Sequence, residues 1–243
     1  MSFQIIIALQ VEICSSGLVL SFILVILPRI FAILSPMIVY FVRHGESEAV
    51  SKGIFQSDDD TLSILGKRQA EILSRRLSNL QVDSIFSSPL ERAQETGEII
   101  AKKIGKSVEI WEDLKEARSP KEIVGRFLDD SEVGVIRTLI KKNFHKGNWK
   151  YSDEETFNEL RQRAEKVLQR LVKMSKKQNI LCVSHAGIIK MILAKMIFGG
   201  TLKPQIYWDF KYHLHSENTG VTVCEYNKKK TWILTTWNDT THL

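Results

Sequence analysis

Two short runs set histidine beside residues suited to phosphate chemistry, Val42-Arg43-His44-Gly45 and Val183-Ser184-His185-Ala186-Gly187. Each ends an apolar, β-rich stretch, so each histidine is expected just past the carboxyl end of a strand, where α/β sheets collect functional groups. A third such run, Ile85-Phe86-Ser87, leads through Ser88-Pro89 into a helical pattern whose first turns carry Arg92. One rim of a sheet would then gather His44, His185, Arg43 and Arg92. Guanidinium forks bind a phosphoryl dianion, and a protonated histidine adds another charge-assisted donor. A second, neutral imidazole can attack phosphorus in line and form a phosphohistidine, while the cations hold the equatorial oxygens. The reaction also needs a group that protonates the leaving oxygen and then activates water, and one carboxyl group can do both. Glu116, soon after the apolar run at 108–111, is the nearest candidate, and Glu122 is the next. Taken singly, each residue has an ordinary structural role: a strand-end histidine is commonly scaffolding, and Arg92 has Glu91 and Glu95 as partners on its own helix. Their joint placement on one rim favours function for His44, Arg43, Arg92 and His185. Ser47 and Ser184 fall within reach of the same pocket, but hydroxyls at strand ends commonly cap helices, so neither is assigned a role in the chemistry.

The elements that must position these groups follow from periodicity. Short β-rich runs at 38–42, 83–87, 108–111 and 179–184 alternate with helical patterns at 65–80, 89–104, 153–176 and 188–198, and Gly199-Gly200 ends the last of these. That alternation is the mark of an α/β domain. Residues 112–152 are rich in charge, Gly and polar residues and read as an insertion with broken helices; substrate specificity is expected there and near Val50. Runs at 219–226 and 231–237 form a hairpin across 227–230. Gly105-Lys106-Ser107 imitates the end of a nucleotide-binding loop, but Ile100 stands where the first Gly belongs and a helix, not a strand, precedes it.

Charge divides the chain of 243 residues unevenly, for residues 1–36 hold one acid, Glu12, and one base, Arg29. Residues 37–243 therefore form the catalytic domain, large enough for one core. Residues 13–35 are long and apolar enough for a membrane helix, which takes about 20 residues. Two expectations follow: a single-span anchor, with Arg29 and Arg43 holding the catalytic domain on the cytoplasmic side, or a start at Met37 with the preceding residues an over-extended reading frame. The net charge of +6 comes from the segment 161–177, where Arg161, Arg163, Lys166, Arg170, Lys173, Lys176 and Lys177 face only Glu165. Its apolar residues recur at helical spacing, so the bases are expected on a solvated face, and nucleic acid is not an expected partner. Cys14, Cys182 and Cys224 form neither a disulfide framework nor a metal-spaced cluster, which favours a reducing compartment.

Taken in order, Val42-Arg43-His44-Gly45-Glu46-Ser47, then Leu62-Ser63 with Gly66 and Gln69-Ala70, Ser87-Ser88-Pro89-Leu90 with Arg92-Ala93-Gln94 and Thr96, Ser184-His185-Ala186-Gly187, and finally Asn218-Thr219-Gly220-Val221-Thr222-Val223 resemble the histidine phosphatase superfamily. Within it the chain is similar to the phosphoglycerate mutase-like branch of small broad-range phosphatases, from Ile38 to about Tyr226. The resemblance implies an α/β fold, a three-layer α/β/α sandwich around a mostly parallel central sheet, with no metal and no cofactor. It implies His44 as the phosphorylated nucleophile, Arg43 and Arg92 on the phosphoryl oxygens, His185 as the second pocket histidine, and Glu116 as acid and then base. Two positions depart from the pattern. Ala117-Arg118-Ser119-Pro120 follows Glu116 where many relatives have Gly and an aromatic residue before a Glu-Gly pair, and Val50 stands where relatives often have Asn. The expected activity is metal-independent phosphomonoester hydrolysis of a small phosphorylated substrate. The alternatives are mutase-type phosphoryl transfer on phosphoglycerate, and a membrane-tethered phosphate-binding module with weak turnover.

Overall fold

The computed structural model describes residues 36–174 and 178–243. Its elements run β1 (Met37–Arg43), α1 (Glu48–Ser51), α2 (Ile64–Leu77), β2 (Ser84–Ser87), α3 (Glu91–Ile104), β3 (Val108–Ile110), α4 (Ser131–Asn143), α5 (Phe157–Met174), β4 (Asn179–Ser184), α6 (Ala186–Phe198), α7 (Pro204–His213), β5 (Val221–Tyr226) and β6 (Trp232–Asp239). The strands form one sheet in the order β3-β2-β4-β1-β5-β6, parallel from β3 to β1 and antiparallel through β5 and β6. Side chains alternate across it as the pleat requires. Val39 and Phe41 of β1 and Ile180 and Cys182 of β4 pack with α5, α6 and Tyr207 of α7; Val42, Leu181 and Val183 pack with α2 and α3 on the other face. These are the three layers expected of the sequence.

Local chemistry sets the helix bounds. The Ser63 side chain accepts the Gly66 N–H, so α2 begins at Ile64, and it ends at Leu77, short of the predicted 80. Gly105, at φ 69°, closes α3 in the left-handed conformation that a side chain resists. Helix α5 starts later than predicted because Thr156 and Glu159 form a reciprocal capping box: the Thr156 hydroxyl accepts the Glu159 N–H at 3.2 Å, and Glu159 accepts the Thr156 N–H at 2.9 Å. The insertion resolves into α4 and the 3-10 turns Glu112–Leu114 and Phe144–Lys146. It also pairs with the connection after α1, where the Phe55 N–H donates to the Arg126 carbonyl and the Gly125 N–H to the Phe55 carbonyl.

Helices α1 and α7 were not expected. Over Pro204–His213 only Tyr207 is fully buried, with Ile206 and Phe210 packed beside it, a single short apolar turn. The basic face of α5 is not simply solvated either. Arg170 lies 4.5 Å from the Trp111 ring centre and pairs with Glu109, and Arg163 is drawn inward. Cys182 and Cys224 are buried free thiols, and burial pushes Cys224 up to about 12. Among the described residues no helix is long and apolar enough to cross a membrane. The apolar stretch at 13–35 lies outside the described residues, as do Cys14, Lys176 and Lys177.

Candidate active site

The two histidines meet because of strand register. In the parallel pairing of β1 with β4, Arg43 stands opposite Ser184, so the residues that follow, His44 and His185, leave the sheet side by side. The His44 N–H donates to the Ser184 carbonyl at 2.9 Å, and the two rings lie 4.9 Å apart between centroids. Both side chains are buried, at 1% and 0% exposure. On the far side of β4, Ser87 pairs with Val183, which brings Ser88 Oγ to 2.8 Å from His185 Nε2. The chain then turns into α3, whose first turn carries the buried Arg92 back over His44, with Nε 3.3 Å from His44 Nε2 and Nη1 donating to the Ser57 carbonyl at 2.8 Å.

These contacts fix the state of His44. Its Nδ1 lies 2.6 Å from the Gly45 carbonyl, which can only accept, so Nδ1 carries the proton and Nε2 presents its lone pair toward Arg92. Burial first, and then the Arg92 and Arg43 charges, hold His44 well below the ordinary histidine value, outweighing the opposing effect of the Gly45 bond. His185 is lowered likewise, by burial and then by His44, Arg92 and Arg43. Its Nδ1 is buried with no hydrogen-bond partner among the described residues, as is Arg43 Nε, whose guanidinium also donates from Nη1 to the Ser216 carbonyl. Burial lowers Arg43, while Glu116 and then Glu217 oppose the shift. The loop after β1 lies against the start of α2, and a side chain at Gly45 would sit 2.5 Å from the Gly66 carbonyl oxygen.

Glu116 joins this group from the loop after β3. One oxygen accepts the Ala117 N–H at 2.7 Å and the Ile188 N–H at 3.1 Å, and the other accepts the Gly187 N–H at 3.1 Å, so the carboxylate sits on the first turn of α6. A Cβ at Gly187 would meet it at 2.4 Å. Arg43 and Arg92 both feel Glu116 as their foremost carboxylate. Glu122 is not among the charges acting on either, and its Oε2 is buried without a partner among the described residues. The geometry therefore assembles Arg43, His44, Arg92, Glu116 and His185, and leaves Glu122 aside.

Several supporting residues escaped the sequence. Ser47 does cap α1, but the Ser184 hydroxyl instead donates to the Leu114 carbonyl at 2.7 Å and steadies the loop before Glu116. Arg163 donates to the carbonyls of Asp113, Lys115 and Glu116 at 2.9, 2.6 and 3.2 Å, while pairing with Glu155. The Tyr207 hydroxyl donates to the Gly187 carbonyl at 3.2 Å. Ser88 had a usable signal in its place between a strand and Pro89. The others bind backbone carbonyls, which leave no trace in sequence.

The family model described as "Histidine phosphatase superfamily (branch 1)" matches residues 39–240. The chain is 28% identical over 184 residues to adenosylcobalamin/alpha-ribazole phosphatase of Escherichia coli, covering 72% of this chain and 85% of that protein. It is 24% identical over 221 residues to a metal-independent phosphoserine phosphatase of Arabidopsis thaliana, covering 84% and 82%. Among solved structures it resembles phosphoserine phosphatase from Entamoeba histolytica in complex with 3-phosphoglyceric acid, at a TM-score of 0.70 and 26% identity, covering 85% of this chain and 99% of that one.

Proposed function

This chain belongs to the histidine phosphatase superfamily, branch 1, and is a phosphatase; from that premise we propose that it hydrolyses small phosphomonoesters without a metal through a phosphohistidine on His44. One observation carries the assignment: the Nδ1–H bond to the Gly45 carbonyl leaves Nε2 unprotonated, and that nitrogen faces Arg92. A phosphoryl group held by Arg92 and Arg43 is thereby offered to Nε2. In the first step Nε2 bonds to phosphorus as the ester P–O bond breaks, and Glu116, acting as general acid, passes a proton to the leaving oxygen. In the second, Glu116 takes a proton from water, the resulting hydroxide attacks phosphorus, the P–N bond breaks and inorganic phosphate leaves. His185 adds its unpartnered Nδ1 to the oxygens of the transferring group.

For the substrate we propose a small phosphorylated molecule that carries a carboxylate. Phosphoserine and 3-phosphoglyceric acid are bound in two solved structures of the phosphoserine phosphatase from Entamoeba histolytica. Lys190, one turn along α6 from the Glu116 contact and within electrostatic range of Arg43 and Glu116, supplies positive charge for such a group. Residues 37–243 form the catalytic domain in this proposal, with residues 13–35 as a membrane tether that holds it on the cytoplasmic side; mass spectrometry of the intact N-terminus in a membrane fraction tests the tether, and a chain recovered only as soluble protein starting at Met37 refutes it.

The enzymatic test is turnover of an aryl phosphate in the presence of a chelator. His44→Ala is expected to abolish it, and Glu116→Gln to lower kcat by roughly 10²–10⁴-fold, the usual contribution of a general acid–base group. Turnover that survives His44→Ala would overturn the mechanism, and full activity in Glu116→Gln would move the acid role elsewhere. Phosphate affinity with no turnover in the wild type would favour a binding module. Isomerisation of phosphoglycerate faster than phosphate release would favour a mutase.

A further inference from the structure

Behind His44 lies a segment that the catalytic groups do not include. Thr219 is fully buried and sits at φ 57°, a left-handed conformation that is an outlier for a β-branched residue. Its N–H is shared between the Arg43 carbonyl at 3.0 Å and the His44 carbonyl at 3.4 Å, and the neighbouring Asn218 amide donates to the His44 carbonyl at 2.9 Å. Together with Ser216, whose carbonyl receives Arg43 Nη1, this segment clasps the backbone and side chain that present the phosphoryl-binding groups.

The Thr219 side chain meets the next-to-last residue of the chain. Thr219 Oγ1 lies 2.7 Å from the Asn218 carbonyl and 3.0 Å from His242 Nε2. The carbonyl only accepts, so the hydroxyl donates to it, and His242 Nε2 must donate to the hydroxyl. His242 Nδ1 then has no proton and accepts from Arg76 Nη1 at 3.3 Å. Donor and acceptor roles agree at every atom from Arg76 of α2 through His242 and Thr219 to the Asn218 carbonyl. Asp239 of β6 pairs with Arg76 and anchors the far end. Burial, and then Arg76, lower His242 against the pull of Asp239, which favours the neutral ring that this path requires.

We propose that His242 is a positioning residue for the reaction at His44: it locks Thr219 in its left-handed conformation, and Thr219 in turn fixes the Arg43–His44 backbone. The proposal rests on His44 being the nucleophile. The test compares His242→Ala, His242→Gln, Thr219→Gly and the double variant Thr219→Gly/His242→Ala on an aryl phosphate, with the His44 Nδ1–H resonance followed by NMR. Because small misplacements of reacting groups cost rate more than binding, His242→Ala is expected to lower kcat by about tenfold with KM within about twofold. Glutamine can donate to Thr219 and accept from Arg76, so His242→Gln should restore most of kcat and the wild-type His44 resonance. Glycine adopts φ > 0 without penalty, so His242→Ala should cost nothing further in the Thr219→Gly background. Wild-type kcat with an unmoved His44 resonance in His242→Ala would overturn the proposal. So would a loss that His242→Gln fails to recover, or one that persists undiminished in Thr219→Gly. If the alanine variant does not fold, His242→Asn, too short to reach both partners, carries the same comparison. Turnover surviving in His44→Ala would refute the nucleophile assignment alone, since the resonance still reports the coupling.

Discussion

Arg163 shows how much one side chain can organise at a distance from the phosphoryl pocket. Its guanidinium donates to three consecutive-loop carbonyls, those of Asp113, Lys115 and Glu116, and to both oxygens of Glu155. The pair is poorly exposed, at 16% and 12% of the side chains, so Arg163→Ala would strand the Glu155 charge and cost about 3 kcal/mol, at the lower end for a buried pair. Lysine keeps the charge but lacks the planar fork that reaches all five oxygens. Arg163→Lys is therefore expected to unfold near the wild-type temperature while kcat falls several-fold, because the loop bearing Glu116 loses its fixed seat. Thermal unfolding combined with steady-state kinetics checks both halves, and unchanged kcat in Arg163→Lys would show that Glu116 needs no such support.

Among elements, the start of α6 bears the heaviest demand. It follows His185 directly, it receives Glu116 on the N–H groups of Gly187 and Ile188, and its Gly187 carbonyl is gripped by Tyr207 from α7. Alanine at 187 would ordinarily strengthen a helix by about 1 kcal/mol. Here its Cβ would fall 2.4 Å from the Glu116 carboxylate, so Gly187→Ala should expel that group and lower kcat by about 10²-fold while leaving the fold intact. A fully active Gly187→Ala enzyme with an unaltered circular dichroism spectrum would argue against Glu116 acting from this position. The same region shows what could be read from sequence. His44 and His185 were legible because each stands where an apolar strand run gives way to a polar turn, and Arg92 because it opens the helical pattern that follows Ser88-Pro89. Glu116 was legible only by its nearness to β3, since nothing about its own neighbours distinguishes it from Glu122. Arg163 was hidden within a basic helix face, and α7 was missed because its apolar signal is one short turn, Ile206, Tyr207 and Phe210.

At the scale of the whole molecule, the pocket histidines tie stability to pH. His44 and His185 are held neutral in the folded chain by burial and by the arginines, whereas the unfolded chain protonates histidine near 6.5. Below that pH the unfolded state binds more protons, so stability is lost as pH falls, by up to about 1.4 kcal/mol per pH unit for each of the two. Urea unfolding between pH 7 and pH 5 should show this slope, with a further share from His242, and His44→Ala should reduce it; a flat profile would contradict the neutral assignments. The alternation of strand and helix patterns foretold the three layers. The order in which the strands lie, β3-β2-β4-β1, was not foretold, because it depends on long-range pairing that no local pattern encodes. That order has a consequence for how the protein comes into being. Strand β4, which joins β1 to β2, is made after both of them and after the whole insertion. A chain still emerging from the ribosome thus holds two strands with no bridge between them and one histidine with no neighbour. Catalytic competence therefore comes late in synthesis: it waits on residues 179–185, which bridge β1 to β2, on Gly187 and Ile188, which seat Glu116, and on the segment 216–219, which clasps Arg43 and His44.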